Sequence, residues 1–178
     1  MKTTEKSFGF WQVVGFLFVS AGGTLLHFVY EWCGKSTVAG LFSAVNESTW
    51  EHMKLFYFPW LVFAVFEAVL FKGKYVRFWC VKLCGILSGL LTIPVIYYTY
   101  NGTFGRSPDW FNITIFFIAT AVAFFVEYRL IRSNKRCPLA DKIALPLIIL
   151  LGVAFMVLTF SPPQIPLFQD PVTKSYGK

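Results

Sequence analysis

Apolar positions along this chain come in long runs, and polar positions gather between them. Runs of about twenty apolar residues suffice to cross a hydrocarbon layer of about 30 Å at about 1.5 Å per residue. Five such runs occur, over residues 8–32, 46–71, 76–100, 111–131 and 142–160. Residues 8–30, 83–100 and 143–160 carry no formal charge. The pattern predicts an all-α polytopic transmembrane helical bundle of about five spans, one integral membrane domain. Residues 161–178 form a Pro-rich tail that cannot continue the last helix.

The second span is the weakest of the five, because its membrane-like part, residues 55–71, contains Glu67. Ser48 with Glu51 three residues later reads as a capping box, so this helix is expected to start near Asn46 and to spend two polar turns at the interface before submerging. Gly85 and Gly89 in the third span, and Ala119 and Ala123 in the fourth, have the small-xxx-small spacing that lets helix backbones approach. Pro94 and Pro146 mark expected kinks. Trp11, Trp32, Trp50, Tyr97, Tyr98, Tyr100 and Trp110 match an interfacial aromatic belt.

Composition agrees with lipid as the solvent. Of 178 residues, 56% are hydrophobic and 14% charged, more apolar surface than a soluble domain of this size can hide. The first run is too long for a signal-peptide core and no small-residue cleavage site follows it, so it is read as a span. The net charge of +7 would raise the question of nucleic acid in a soluble chain. Here the basic residues sort by side, which excludes nucleic acid and points to membrane lipids as partners. Lys2, Lys6, Lys72, Lys74, Arg77, Lys82, Arg129, Arg132, Lys135, Arg136 and Lys142 fall on one side; Lys35, Lys54, Arg106, Lys174 and Lys178 fall on the other. The positive-inside rule makes the first side cytoplasmic, with the N-terminus inside and the C-terminus outside. Cys33, Cys80, Cys84 and Cys137 show neither zinc-ribbon pairs nor the density of a disulfide scaffold, and Cys80 and Cys84 read as packing residues.

The densest polar cluster joins the end of the first span to the start of the second. His27 and Glu31 share a helix face at a spacing of four, Glu47 and Glu51 repeat that relation, and His52 lies beside them. The linker of residues 33–45 is short enough to return the chain as a hairpin, setting the two pairs opposite each other on the extracytoplasmic side. Two imidazoles and three carboxylates suit a divalent metal such as Zn, with His27, Glu31, Glu47, Glu51 and His52 as ligands, or a general acid and base. The alternative is that Glu47 and Glu51 favour the helix dipole and His27 simply hydrogen-bonds Glu31. No HExxH is present. At the inner surface Glu67, Lys82 and Glu127 are expected to neutralise one another as an ion pair or triad, or to relay ions. Asn46, Asn101 and Asn112 open N-x-[ST] sequences, for which helix capping is the cheaper account at Asn46 and Asn112.

The stretch of residues 41–55, LFSAVNESTWEHMKL, resembles an uncharacterised family of small bacterial polytopic membrane proteins known as a domain of unknown function, with an NES-x-WEH signature. HFVYEW at residues 27–32 and PPQIPLFQDPVTKSYG at residues 162–177 look like the same family's other segments. The resemblance implies about five spans and no activity, substrate or cofactor. It adds interest to His27, Glu31, Asn46, Glu47, Trp50, Glu51 and His52.

Three functions remain open on the sequence. The first is an outer hairpin site for a metal, lipid headgroup or small polar ligand, which in a hydrolase or transferase would use Glu51 or His52 as base and Asn46, Glu47 and Trp50 for binding. The second is a small transporter or channel subunit whose pathway joins the outer and inner clusters. The third is a structural or accessory membrane protein in which the polar cluster fixes helix register.

Overall fold

The computed structural model describes residues 2–72, 74–75, 77–133 and 139–178, with side chains from Phe8 onward. In chain order the helices are α1 (Lys2–Trp32), α2 (Thr37–Phe42), α3 (Thr49–Leu70), α4 (Phe78–Phe104), α5 (Asp109–Arg132) and α6 (Asp141–Phe160), followed by a 3-10 turn at Pro166–Phe168. Phe8–Trp32 of α1 and the whole of α3 to α6 are each long and apolar enough to cross a membrane, which makes this a multi-pass membrane bundle. Val76, Lys135, Arg136 and Cys137, and the side chains of Lys2 and Lys6, lie outside the described residues.

The observed spans follow the expected ones to within a few residues at each end. The addition is α2, a two-turn helix inside the expected linker. Gly34 and Lys35 turn the chain with positive φ, and the Ser36 hydroxyl then accepts a bond from Ala39 N at 3.2 Å to start α2. The capping box is half formed. Ser48 is the N-cap of α3 and accepts from Glu51 N at 3.4 Å, but Glu51 does not return to the Ser48 backbone. Asn46 Oδ1 takes the Ser48 N–H instead, at 2.9 Å; with Ser48 as the cap, α3 begins at Thr49 and Glu47 stands outside it.

α3 runs through the middle of the bundle, with Phe56, Tyr57, Trp60 and Ala64 fully buried. α4 and α5 form the most extensive helix pair. Their approach uses the small residues singled out in the sequence: Ala119 and Ala123 are fully buried, and a Cβ on Gly89 would lie 2.9 Å from the Ala119 carbonyl oxygen. Pro94 and Pro146 lie inside α4 and α6, and Pro59 lies inside α3. The outward faces are apolar, as lipid requires, with Leu17, Val62, Val69, Leu91, Phe125 and Leu150 all exposed.

The tail folds back across one end of the bundle and meets the start of α3. Trp50 lies between Phe155 of α6 and Phe168 of the 3-10 turn, with ring centroids 4.4 and 4.6 Å away. Trp50 is therefore a core residue and not a member of the interfacial belt, in which Trp32 and Trp110 remain well exposed.

Candidate functional site

At the tail end of the bundle the site grows from the α2–α3 connection. Ser48 starts α3, which leaves Glu47 on the loop before it and puts His52 one turn inside. α1 brings His27 alongside. Glu47 then bridges the two imidazoles, Oε1 lying 3.6 Å from His27 Nε2 and Oε2 3.5 Å from His52 Nε2. The two rings are 5.7 Å apart between centroids. One ligand atom from each of the three residues falls within 4.8 Å of the other two, and they are the one such group among the described residues.

Two features prepare this cluster. His52 Nδ1 is 3.0 Å from the Ser48 carbonyl oxygen, which can only accept, so the ring donates there from Nδ1 and is held with Nε2 turned toward Glu47. The His27 imidazole holds the Glu47 carboxyl below its ordinary value, against burial that pushes it up, and His52 adds to the lowering. Glu47 is thus an anion between two nitrogen donors.

The loop carrying Glu47 is held by the tail. Glu47 N donates to Asp170 Oδ2 at 3.2 Å, and Asn46 Nδ2 donates to the Gly177 carbonyl at 3.0 Å. Lys178 N donates to the Thr159 carbonyl at 3.1 Å, and its ammonium reaches Thr37 Oγ1 at 2.9 Å. Asp170 is itself fixed: burial would raise its carboxyl, but N–H groups of Thr173, Val172 and Glu47 hold it below the ordinary aspartate value. None of Asp170, Gly177 and Lys178 was expected in the site. The sequence places Asp170 and Gly177 in the family-like tail segment and Lys178 just after it, with nothing to tie them to the loop of Glu47.

Beside the cluster is a half-open cavity of about 270 Å³, whose walls include His27, Tyr30, Glu31, Asn46 and Glu47. A second, apolar groove of about 450 Å³ lies along the same α1–α3 seam toward the bundle's middle, lined by Gly22 and Leu26 of α1, Phe58 and Pro59 of α3, Phe42 and Met156. Gly22 lets the seam close below the histidines, since a Cβ there would sit 3.1 Å from the Pro59 Cβ.

Of the residues expected to act together, the fold brings His27, Glu47 and His52 into one group. Glu31 lines the cavity but faces outward and pairs with Lys35 at 3.3 Å, both well exposed. Glu51 goes elsewhere. With α3 beginning at Thr49, Glu47 and Glu51 do not share a helix face, and the Glu51 side chain turns into the bundle, where it is 1% exposed. It pairs with Lys54 at 2.5 Å, accepts from Val45 N at 3.1 Å, and lies 2.8 Å from Thr159 Oγ1. Lys54 completes this knot by donating to the Gly40 carbonyl at 2.8 Å and to Thr159 Oγ1 at 2.9 Å. The knot ties α2, α3 and α6 together and leaves Glu51 no free oxygen toward the cavity. Asn46 fixes the loop, and Trp50 packs beneath it.

The opposite end holds the second charged group, as the sequence suggested. Lys82 of α4 bonds both Glu67 of α3 and Glu127 of α5, all fully buried. Trp60 Nε1 donates to Glu127 Oε1 at 2.8 Å, and Gln12 Nε2 to Glu67 Oε1 at 2.9 Å.

The chain belongs to a family of unknown function, DUF6512, whose family model matches residues 1–178. No curated protein and no solved structure matches it.

Proposed function

We propose that this member of a family of unknown function binds a divalent cation such as zinc through His27, Glu47 and His52, on the extracytoplasmic face of the membrane. The cation's open coordination position would hold the anionic head of a membrane lipid or a small polar ligand in the adjoining cavity. The observation that carries this reading is the spacing of the three donors. Glu47 offers one oxygen to each ring, Oε1 3.6 Å from His27 Nε2 and Oε2 3.5 Å from His52 Nε2, and one ligand atom from each of the three residues falls within 4.8 Å of the other two, close enough for small side-chain rotations to gather them around one ion with bonds of about 2.1 Å. Three protein ligands leave one position for an exogenous oxygen, the arrangement of reactive rather than structural zinc sites.

The supporting geometry is of three kinds. The Ser48 carbonyl orients His52 as an outer-shell partner orients a metal-bound imidazole. The adjoining cavity, of mixed polar and apolar lining, shares His27 and Glu47 with the cluster. The apolar groove on the same seam suits the hydrocarbon portion of an amphiphile whose head lies at the cation. The outward orientation rests on the distribution of Lys and Arg between the two sides.

Zinc titration of the full-length protein in detergent, read by elemental analysis after desalting, tests the reading. About one zinc per chain is expected for the parent. A His27→Ala/His52→Ala double variant should retain none, and Glu47→Gln should bind more than about tenfold more weakly. Equal zinc retention by parent and double variant would remove the proposal. Lipid extraction and mass spectrometry of the zinc-loaded parent then separate a lipid head from a small soluble ligand.

A further inference from the structure

The two buried charge groups differ in their sums. Glu51 and Lys54 cancel, one acid against one base. At the other end a single ammonium, Lys82, serves two carboxylates, Glu67 and Glu127, and the three groups together carry a formal charge of −1. Every one of them is fully buried. A net charge enclosed in protein and hydrocarbon is expensive, because neither medium supplies the reorienting dipoles of water.

The remaining partners do not cancel that charge. α1 contributes Gln12, whose amide nitrogen bonds Glu67, and α3 contributes the Trp60 N–H to Glu127; both donors are neutral. The faces around the Lys82 ammonium are the rings of Phe78 and Phe124, 5.6 and 5.7 Å away. On α6 the first-turn acid, Asp141, is engaged elsewhere, accepting from Cys80 N at 3.0 Å. One further polar atom borders the group and has no partner among the described residues. Gln12 is 5% exposed and its Oε1, on the same amide that bonds Glu67, has no donor among the described residues. A buried acceptor beside an excess carboxylate is a place for a group that brings a proton in.

We propose that Glu67, Glu127, Lys82 and Gln12 form a proton-binding site that takes up one exchangeable proton on one of the two carboxyls, making the cluster neutral. The step forms one O–H bond at a carboxylate oxygen and breaks one O–H bond of a hydronium ion, which leaves as water; no bond in the protein is broken. Gly85 is what lets the Glu127 side chain reach the cluster: a Cβ there would lie 2.4 Å from Glu127 Cγ and 2.7 Å from Oε1. The site needs no metal and shares no residue with the His27 cluster, so either proposal stands without the other.

Infrared spectroscopy of the full-length protein in lipid bilayers tests this. The parent at neutral pH should show the C=O stretch of a protonated carboxylic acid, shifted by ¹³C-labelling of glutamate and by transfer to deuterium oxide. Glu67→Gln or Glu127→Gln leaves one carboxylate against Lys82, so each should abolish the band. Lys82→Met removes the cation that pairs both carboxylates and should roughly double it. A parent spectrum without the band, or a band unmoved by the glutamate label, overturns the proposal on the parent alone, even where no variant folds. A band that survives both Gln substitutions overturns it equally.

Discussion

Lys54 shows what a single buried residue can do in this bundle. Its ammonium is enclosed by Glu51, the Gly40 carbonyl and Thr159, so replacing it with Ala leaves Glu51 as an unpaired buried anion. Breaking such a pair from one side costs about 3–5 kcal/mol, whereas replacing both partners with neutral groups of similar shape can be nearly harmless. Unfolding of detergent-solubilised protein should therefore show Lys54→Ala strongly destabilised and Glu51→Gln/Lys54→Met closer to the parent than either single change. Additive single and double effects would mean that the two residues act independently. The same position shows where sequence reading runs out. Glu51 belonged to a recognisable capping box, and its spacing from Glu47 implied a shared helix face. Ser48 is the cap itself, so α3 opens at Thr49, which leaves Glu47 on the loop beside the histidines and Glu51 in the first turn with its side chain in the core. No pattern in the local sequence announces that Thr159, over a hundred residues away, is waiting for it.

Helices were far more legible than side chains, because membrane crossing imposes length and apolarity on each element independently. All five spans could be located without knowing their neighbours. α2 could not: six residues, TVAGLF, are too few for periodicity to distinguish a helix from an apolar loop. The α4–α5 interface lies between these cases, since small residues four apart permit close approach but do not say what comes close. Gly85 proves to face the Glu127 side chain, and Gly89 faces Phe56 and the Ala119 carbonyl. Gly85→Ala should therefore cost about 1–3 kcal/mol through overpacking, against a helix-propensity gain of about 1 kcal/mol. Gly102, on the same helix with nothing within 4 Å of a Cβ, supplies the control. Gly102→Ala should be neutral or stabilising by thermal unfolding, and a Gly85→Ala protein as stable as Gly102→Ala would show that the tight contact relaxes at no cost.

For the molecule as a whole, the tail acts as a brace for the candidate site. Phe168 stacks on Trp50, Gly177 and Lys178 bond Asn46 and the end of α6, and Asp170 holds the backbone of Glu47. This arrangement gives the tail a pH dependence with a definite sign. The folded Asp170 carboxyl lies below its ordinary value of 3.8, because backbone N–H groups favour the anion more than burial disfavours it. A group lowered by folding stabilises the docked tail fully above its ordinary value, and that contribution is lost as pH falls through the folded value. Docking should thus be intact at neutral pH and loosen only in strong acid. Trp50 reports it, since undocking uncovers one face of its indole. Acid titration of the parent should raise quencher access to Trp50 in a Trp-to-Phe background that keeps only this indole. Asp170→Asn should show the raised access already at neutral pH, with zinc binding weakened because Glu47 has lost its anchor. An Asn variant whose Trp50 stays shielded at neutral pH would show that the aromatic stack and the Gly177 bond hold the tail without Asp170, and that the brace is hydrophobic rather than electrostatic.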